Sequence, residues 1–81
     1  MTRVSGKSDS SGILADLGNA IRKARLELGK SQEALADAAG IDRSHMGKIE
    51  RGERNVTLLN VERIANALET KASALLVSAS H

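Results

Sequence analysis

An all-α fold, five short helices in a compact bundle, is what this sequence predicts, and three of its features carry the prediction. Pro is absent, and the strong helix formers Ala and Leu are abundant. Apolar residues recur three and four positions apart, which places them on one face of a helix. No run alternates between apolar and polar residues for long enough to build a sheet.

Residues 1–12 are rich in Ser and Gly and carry almost nothing to bury, so ordering them would cost entropy without return. They are expected to form a flexible arm. Leu14, Leu17, Ile21, Ala24 and Leu28 then mark the buried stripe of a first helix, which Gly29 ends by taking a left-handed conformation. Ser31 caps a second helix with Leu35, Ala36 and Ala39 facing inward before Gly40. Asp42 caps a third, from Arg43 to about Arg51, with Met46 and Ile49 buried and Gly52 as its terminator. Thr57 caps a fourth carrying Leu58, Val61, Ile64, Ala65 and Leu68, and Ala72 to Ser78 form a fifth through Leu75 and Leu76. The domain is thus expected over 13–78, with a tail at 79–81.

Composition narrows the function. A chain of 81 residues holds one small core and usually needs a metal, a disulfide or a partner chain as support. Cys is absent and His45 and His81 lie far apart, which excludes a disulfide framework and a Cys/His zinc cluster and leaves the partner chain. The lack of aromatics argues against stacking platforms for single-stranded nucleic acid, whereas helices that bind a duplex need none. Twelve Lys and Arg against ten Asp and Glu give a net charge of only +2, so any DNA footprint must be local. No phosphate-cradling Gly loop, nucleophile–base set, metal spacing or cofactor motif is present, so no enzymatic activity is expected. With no signal-peptide stretch and no run near the ~20 apolar residues of a membrane span, the expected location is cytoplasmic.

The second and third helices meet across Gly40-Ile41-Asp42, a short Gly-containing connection of the kind a helix-turn-helix needs. Small Ala36 permits close approach of the two helices, Gly40 takes the positive φ of the turn, and Leu35, Ile41, Met46 and Ile49 pin the angle between them. If Met46, Ile49 and Glu50 face inward, Arg43, Ser44, Gly47, Lys48 and Arg51 lie on the outer or flanking surface. An Arg at the start of such a helix can pair bidentately with guanine O6 and N7, which makes Arg43 the first candidate base reader, with Ser44 and Lys48 donating to neighbouring acceptors. Gly47 is unfavourable in mid-helix, as expected if a side chain there would obstruct the approach to DNA. His45 is a candidate phosphate donor, and Gln32, opening the second helix, can clamp a phosphate with its side chain and backbone N–H groups.

Ile21-Arg22-Lys23-Ala24-Arg25, Ser31-Gln32-Glu33-Ala34-Leu35-Ala36, Gly40-Ile41, Ile49-Glu50-Arg51-Gly52 and Ile64-Ala65-Asn66-Ala67-Leu68 together resemble the helix-turn-helix family of phage Cro and repressor proteins. The likeness covers about 17–76, and Ile41-Asp42-Arg43-Ser44 with Gly52-Glu53-Arg54-Asn55-Val56-Thr57-Leu58 looks most like the controller proteins of restriction-modification systems. This resemblance implies a lambda-repressor-like fold whose third helix reads the major groove. It also implies a phosphate clamp at Gln32, phosphate or minor-groove contacts from Arg54 and Asn55, with Arg51 beside them, and a structural ion pair of Glu50 with Arg25.

The fourth and fifth helices offer more apolar side chains than one buried stripe needs, so some, with Leu76 and Val77 as candidates, are expected to face a second copy. A two-fold homodimer would set its reading helices ~34 Å apart, hence a palindromic operator with half-sites about 10 base pairs apart. The expected role is a transcriptional regulator that occludes or recruits RNA polymerase. The rival reading is an antitoxin or transcription bridging module that uses the same motif mainly to hold a protein partner.

Overall fold

The computed structural model describes residues 9–81, in which five helices pack around one core: α1 Ile13–Glu27, α2 Gln32–Ala39, α3 Arg43–Glu50, α4 Leu58–Ala67 and α5 Ala72–Ser78. Ile21 from α1, Leu35 from α2, Met46 and Ile49 from α3 and Ile64 from α4 form its fully buried centre, which Leu75 of α5 closes. Burying these six side chains supplies the main favourable term, at ~1.5–3 kcal/mol each relative to exposure. The Ser31 hydroxyl accepts from the Ala34 N–H at 3.0 Å and the Thr57 hydroxyl from the Asn60 N–H at 3.1 Å, so α2 and α4 begin where their capping residues stand. Leu28 and Leu58, assigned to buried stripes by periodicity, are 43% and 78% exposed, because each lies at a helix end, beyond the reach of the neighbouring helices.

Two glycines let α1 approach the C-terminal end of α3. A Cβ at Gly18 would lie 2.4 Å from the Glu50 carbonyl oxygen and 2.6 Å from that of Ile49. At Gly52 it would lie 2.7 Å from the Ala15 Cα, and the φ of +73° there also favours glycine. Backbone-to-backbone contact on this scale admits no side chain, so α1 and α3 are locked in one register.

Of the arm expected over 1–12, only Asp9 to Gly12 are described. Residues 1–8 lie outside the described residues, and Asp9 to Gly12 form the turn that leads into α1. The Asp9 carboxylate accepts from the Leu14 N–H at 2.8 Å, from the Ser11 N–H at 3.1 Å and from the Ser11 hydroxyl, whose oxygen in turn accepts from the Ile13 N–H at 3.2 Å. Gly12 itself has no side chain to cap with, and Asp9 does so from three residues upstream. The Leu14 bond, and after it the Ser11 hydroxyl, holds the Asp9 pKa below its ordinary value. Its pKa being lowered on folding, the cap is fully formed above the ordinary Asp value of about 3.9 and is lost as pH falls through the lower folded value. The Leu14 amide resonance should therefore titrate with a midpoint below about 3.9, and should stop titrating in Asp9→Ala. A midpoint at the ordinary value would show that the cap is not formed in solution.

The tail at 79–81 is likewise part of the fold. Ala79 is buried, Ser80 takes a φ of +66°, the His81 N–H donates to the Leu76 carbonyl at 2.8 Å, and the His81 ring lies 2.8 Å from the Asp16 carboxylate. The turn closes α5 and ties it to α1, without the Gly that would have announced it.

Candidate nucleic-acid interface

The turn between α2 and α3 is built by backbone geometry. Gly40 takes φ +69°, and the Ile41 N–H donates to the Ala36 carbonyl at 2.9 Å, closing α2 in a left-handed cap. The Asp42 carboxylate then accepts from the His45 N–H at 3.3 Å and starts α3. Leu35, Ala36, Ile41, Met46 and Ile49 are all buried across the corner, so the angle between the two helices is set by packing.

The outward surface of α3 is its N-terminal end. Arg43 and Ser44 are exposed there, His45 and Lys48 are half-buried along the flank, and Arg51, Arg54 and Asn55 are exposed past the C-terminal end. Gly47 departs from the expected placement, because it is buried. Its missing side chain makes room for the Gln32 amide: a Cβ would stand 3.2 Å from the Gln32 Oε1 and 3.2 Å from an Arg51 Nη. The position thus faces the side chain of Gln32, the first residue of α2, and that of Arg51.

Behind the surface lies a charged network. Glu50, 5% exposed, accepts from Arg25 Nε at 2.8 Å and Nη2 at 3.0 Å, a bidentate pair within the core. The other Arg25 Nη donates to the Lys30 carbonyl at 3.0 Å, and Gln32 Nε2 donates to Glu50 Oε1 at 3.2 Å. Lys30 Nζ continues the connection to the Ala67 carbonyl at the end of α4, at 3.0 Å. Among the described residues no buried side-chain polar atom is left without a partner. The network thus joins α1, α2, α3 and α4 behind the exposed end of α3. Its Gln32 bond and its Lys30 bond had no signal in the sequence, since neither spacing nor composition links residues 18 or 37 positions apart.

The charges on the outer surface are of a different kind. Arg51 pairs with Glu53 at 2.7 Å, both exposed, and this hydrogen bond raises the guanidinium pKa and lowers that of the carboxyl. Exposed pairs of this sort contribute little and exchange readily for a stronger anion. Arg43, Lys48 and Arg54 have no ion-pair partner among the described residues. From Asp42 to Asn55, four cationic side chains face outward or along the flank against the exposed acids Asp42 and Glu53, so the positive charge is local.

The apolar candidates for contact with a second copy divide. Leu76 is half-buried and packs against the core, while Val77 is 74% exposed; Leu58 and Leu59, at 78% and 59%, project from the start of α4. Val61, Ile64, Leu68 and Leu75 are all consumed by the monomer core. No cluster of His, Cys, Asp or Glu suited to a metal occurs among the described residues, and no described helix is long and apolar enough to cross a membrane.

Residues 21–75 match the helix-turn-helix family. Among curated proteins, the chain is 38% identical over 69 residues to a Neisseria meningitidis hypothetical transcription factor, covering 85% of this chain and 65% of that protein. It is 48% identical over 46 residues to control protein C.SmaI of Serratia marcescens, covering 57% of this chain and 55% of that one; it therefore spans less than two thirds of either relative. Among solved structures, the restriction-modification controller protein C.AhdI from Aeromonas hydrophila superposes with a TM-score of 0.75 at 44% identity, over 76% of this chain and 94% of that one.

Proposed function

Because the chain belongs to the helix-turn-helix family, we propose that it is a double-stranded DNA-binding transcriptional regulator, which binds a palindromic operator as a homodimer with α3 in the major groove. The observation that carries this reading is the exposed N-terminal end of α3, where Arg43 and Ser44 stand free above a core that holds the helix rigidly. A reading helix must present unpaired donors on a fixed support, and Arg43 supplies two parallel N–H groups for guanine. Ser44 and Lys48 reach neighbouring acceptors, while Gln32, His45, Arg51, Arg54 and Asn55 ring the helix at positions suited to phosphates or the adjacent minor groove. Val77 is the leading candidate for the dimer contact.

The similarity to control protein C.SmaI and the controller C.AhdI supports restriction-modification genes as the regulated class. Output would follow from where the operator lies relative to RNA polymerase, with the protein acting in the cytoplasm and its abundance as the control variable.

Selection of binding sites from a randomised duplex pool, at stated salt, tests the proposal. The expected result is an inverted repeat with guanine at a fixed place in each half-site. Arg43→Ala should lose ~1–3 kcal/mol of discrimination at that base while keeping its fold. Weak, salt-sensitive binding with no enriched sequence would overturn the regulator in favour of a module that acts through a protein partner.

A further inference from the structure

We infer that Gly47 and Glu50 are positioning residues for Gln32, and that α3 thereby holds the phosphate clamp in register with its own reading end. This rests on the DNA-binding reading above. Gln32 belongs to α2, yet both features that fix its side chain belong to α3. Glu50 Oε1 accepts a hydrogen bond from its Nε2 at 3.2 Å, and the hollow at Gly47 receives its carbonyl oxygen, 3.2 Å from where a Cβ would stand. A half-buried Gln carries several rotatable bonds, and tying one amide N–H to Glu50 while its oxygen sits over Gly47 leaves the other N–H to donate to an anion in a defined direction. Glu50 can do this because it is itself immobilised by the bidentate Arg25 pair. The clamp and the reader therefore move as one body.

An alternative physical role for Gly47 is avoidance of a clash with DNA, and burial on the α2 side argues against it. A route through Arg51, whose Nη is also 3.2 Å from the hollow, differs in charge. Gln32 is neutral, so losing its contact weakens binding without changing the salt slope, whereas losing the Arg51 cation would reduce that slope by about 0.9.

The test is a mutant cycle on the full chain, with Gly47→Ala and Gln32→Ala made singly and together, titrated with duplex of random sequence over a range of salt. The expected result is a fall of about tenfold in affinity for each single variant, the worth of one charge-assisted hydrogen bond. The double variant should be no weaker than Gln32→Ala alone, and the salt slope should be unchanged. In the DNA-free protein, the Gln32 side-chain amide protons should be well separated in the NMR spectrum and collapse toward each other in Gly47→Ala. An equal loss from Gly47→Ala in both backgrounds, a loss of fold in both, a changed slope, or unseparated amide protons in the wild type would each overturn the inference. Wild-type protein that binds no duplex would instead overturn the DNA-binding reading on which it stands.

Discussion

Glu50→Ala is expected to lower the free energy of unfolding by about 3–5 kcal/mol, a large part of the 5–15 kcal/mol that stabilises a typical domain. The cause is what it leaves behind. Arg25 is 8% exposed, and without the carboxylate its guanidinium keeps only the Lys30 carbonyl to offset its burial. At about 4–8 °C per kcal/mol for a domain of this size, thermal melting followed by circular dichroism resolves the effect easily. Replacing both partners with apolar residues, Arg25→Met with Glu50→Leu, should restore most of the stability, since a filled apolar core removes the desolvation cost along with the attraction. Site selection with whatever Glu50→Ala protein remains folded should return the same sequence preference, because Glu50 touches no exposed end of α3. A melt within about 1 kcal/mol of wild type would show that the pair does not tie α1 to α3.

Gly18→Ala is expected to destabilise by about 1–3 kcal/mol or more, against the direction that helix propensity alone would give. In the interior of an exposed helix the same change stabilises by about 1 kcal/mol. Here the new methyl meets the carbonyl oxygens of Ile49 and Glu50, which are backbone and cannot rotate away. Helix α1 would have to lift from α3 and disturb the Arg25–Glu50 geometry with it. Urea denaturation of the two proteins side by side decides the matter, and a more stable Gly18→Ala would refute the close packing of α1 on α3. The contrast with Gly47 is useful, because the atoms facing a Cβ there are the ends of two flexible side chains, which can move.

Most of the fold was legible because the signals for it are local. The apolar stripe of α1, the caps Ser31, Asp42 and Thr57, and the left-handed glycines at 29, 40 and 52 each act within a few residues, and each stands where its helix begins or ends. The exposed candidates of α3 were legible for the same reason, since burying Met46 and Ile49 leaves Arg43 and Ser44 outward by helical geometry alone. Gly47 was misplaced because three faces of α3 are not equivalent: one meets the core, one meets α2 and one is free, and periodicity separates only buried from exposed.

What the sequence determined by itself is thus the set of helices, their ends wherever a cap or a glycine stands, and the helix that carries the exposed candidates Arg43 and Ser44. Tertiary structure alone decided the rest. The turn after α4 takes Glu69 at φ +58° and the turn after α5 takes Ser80 at φ +66°, neither a glycine; in each turn the preceding residue, Leu68 or Ala79, is buried in the bundle. The Asp9 cap, the hollow at Gly47 and the Gln32–Glu50 bond likewise depend on where a second segment lies. The physical reason is range: capping and periodicity are properties of a few consecutive residues, whereas a close approach or a shared carboxylate exists only after the helices have packed.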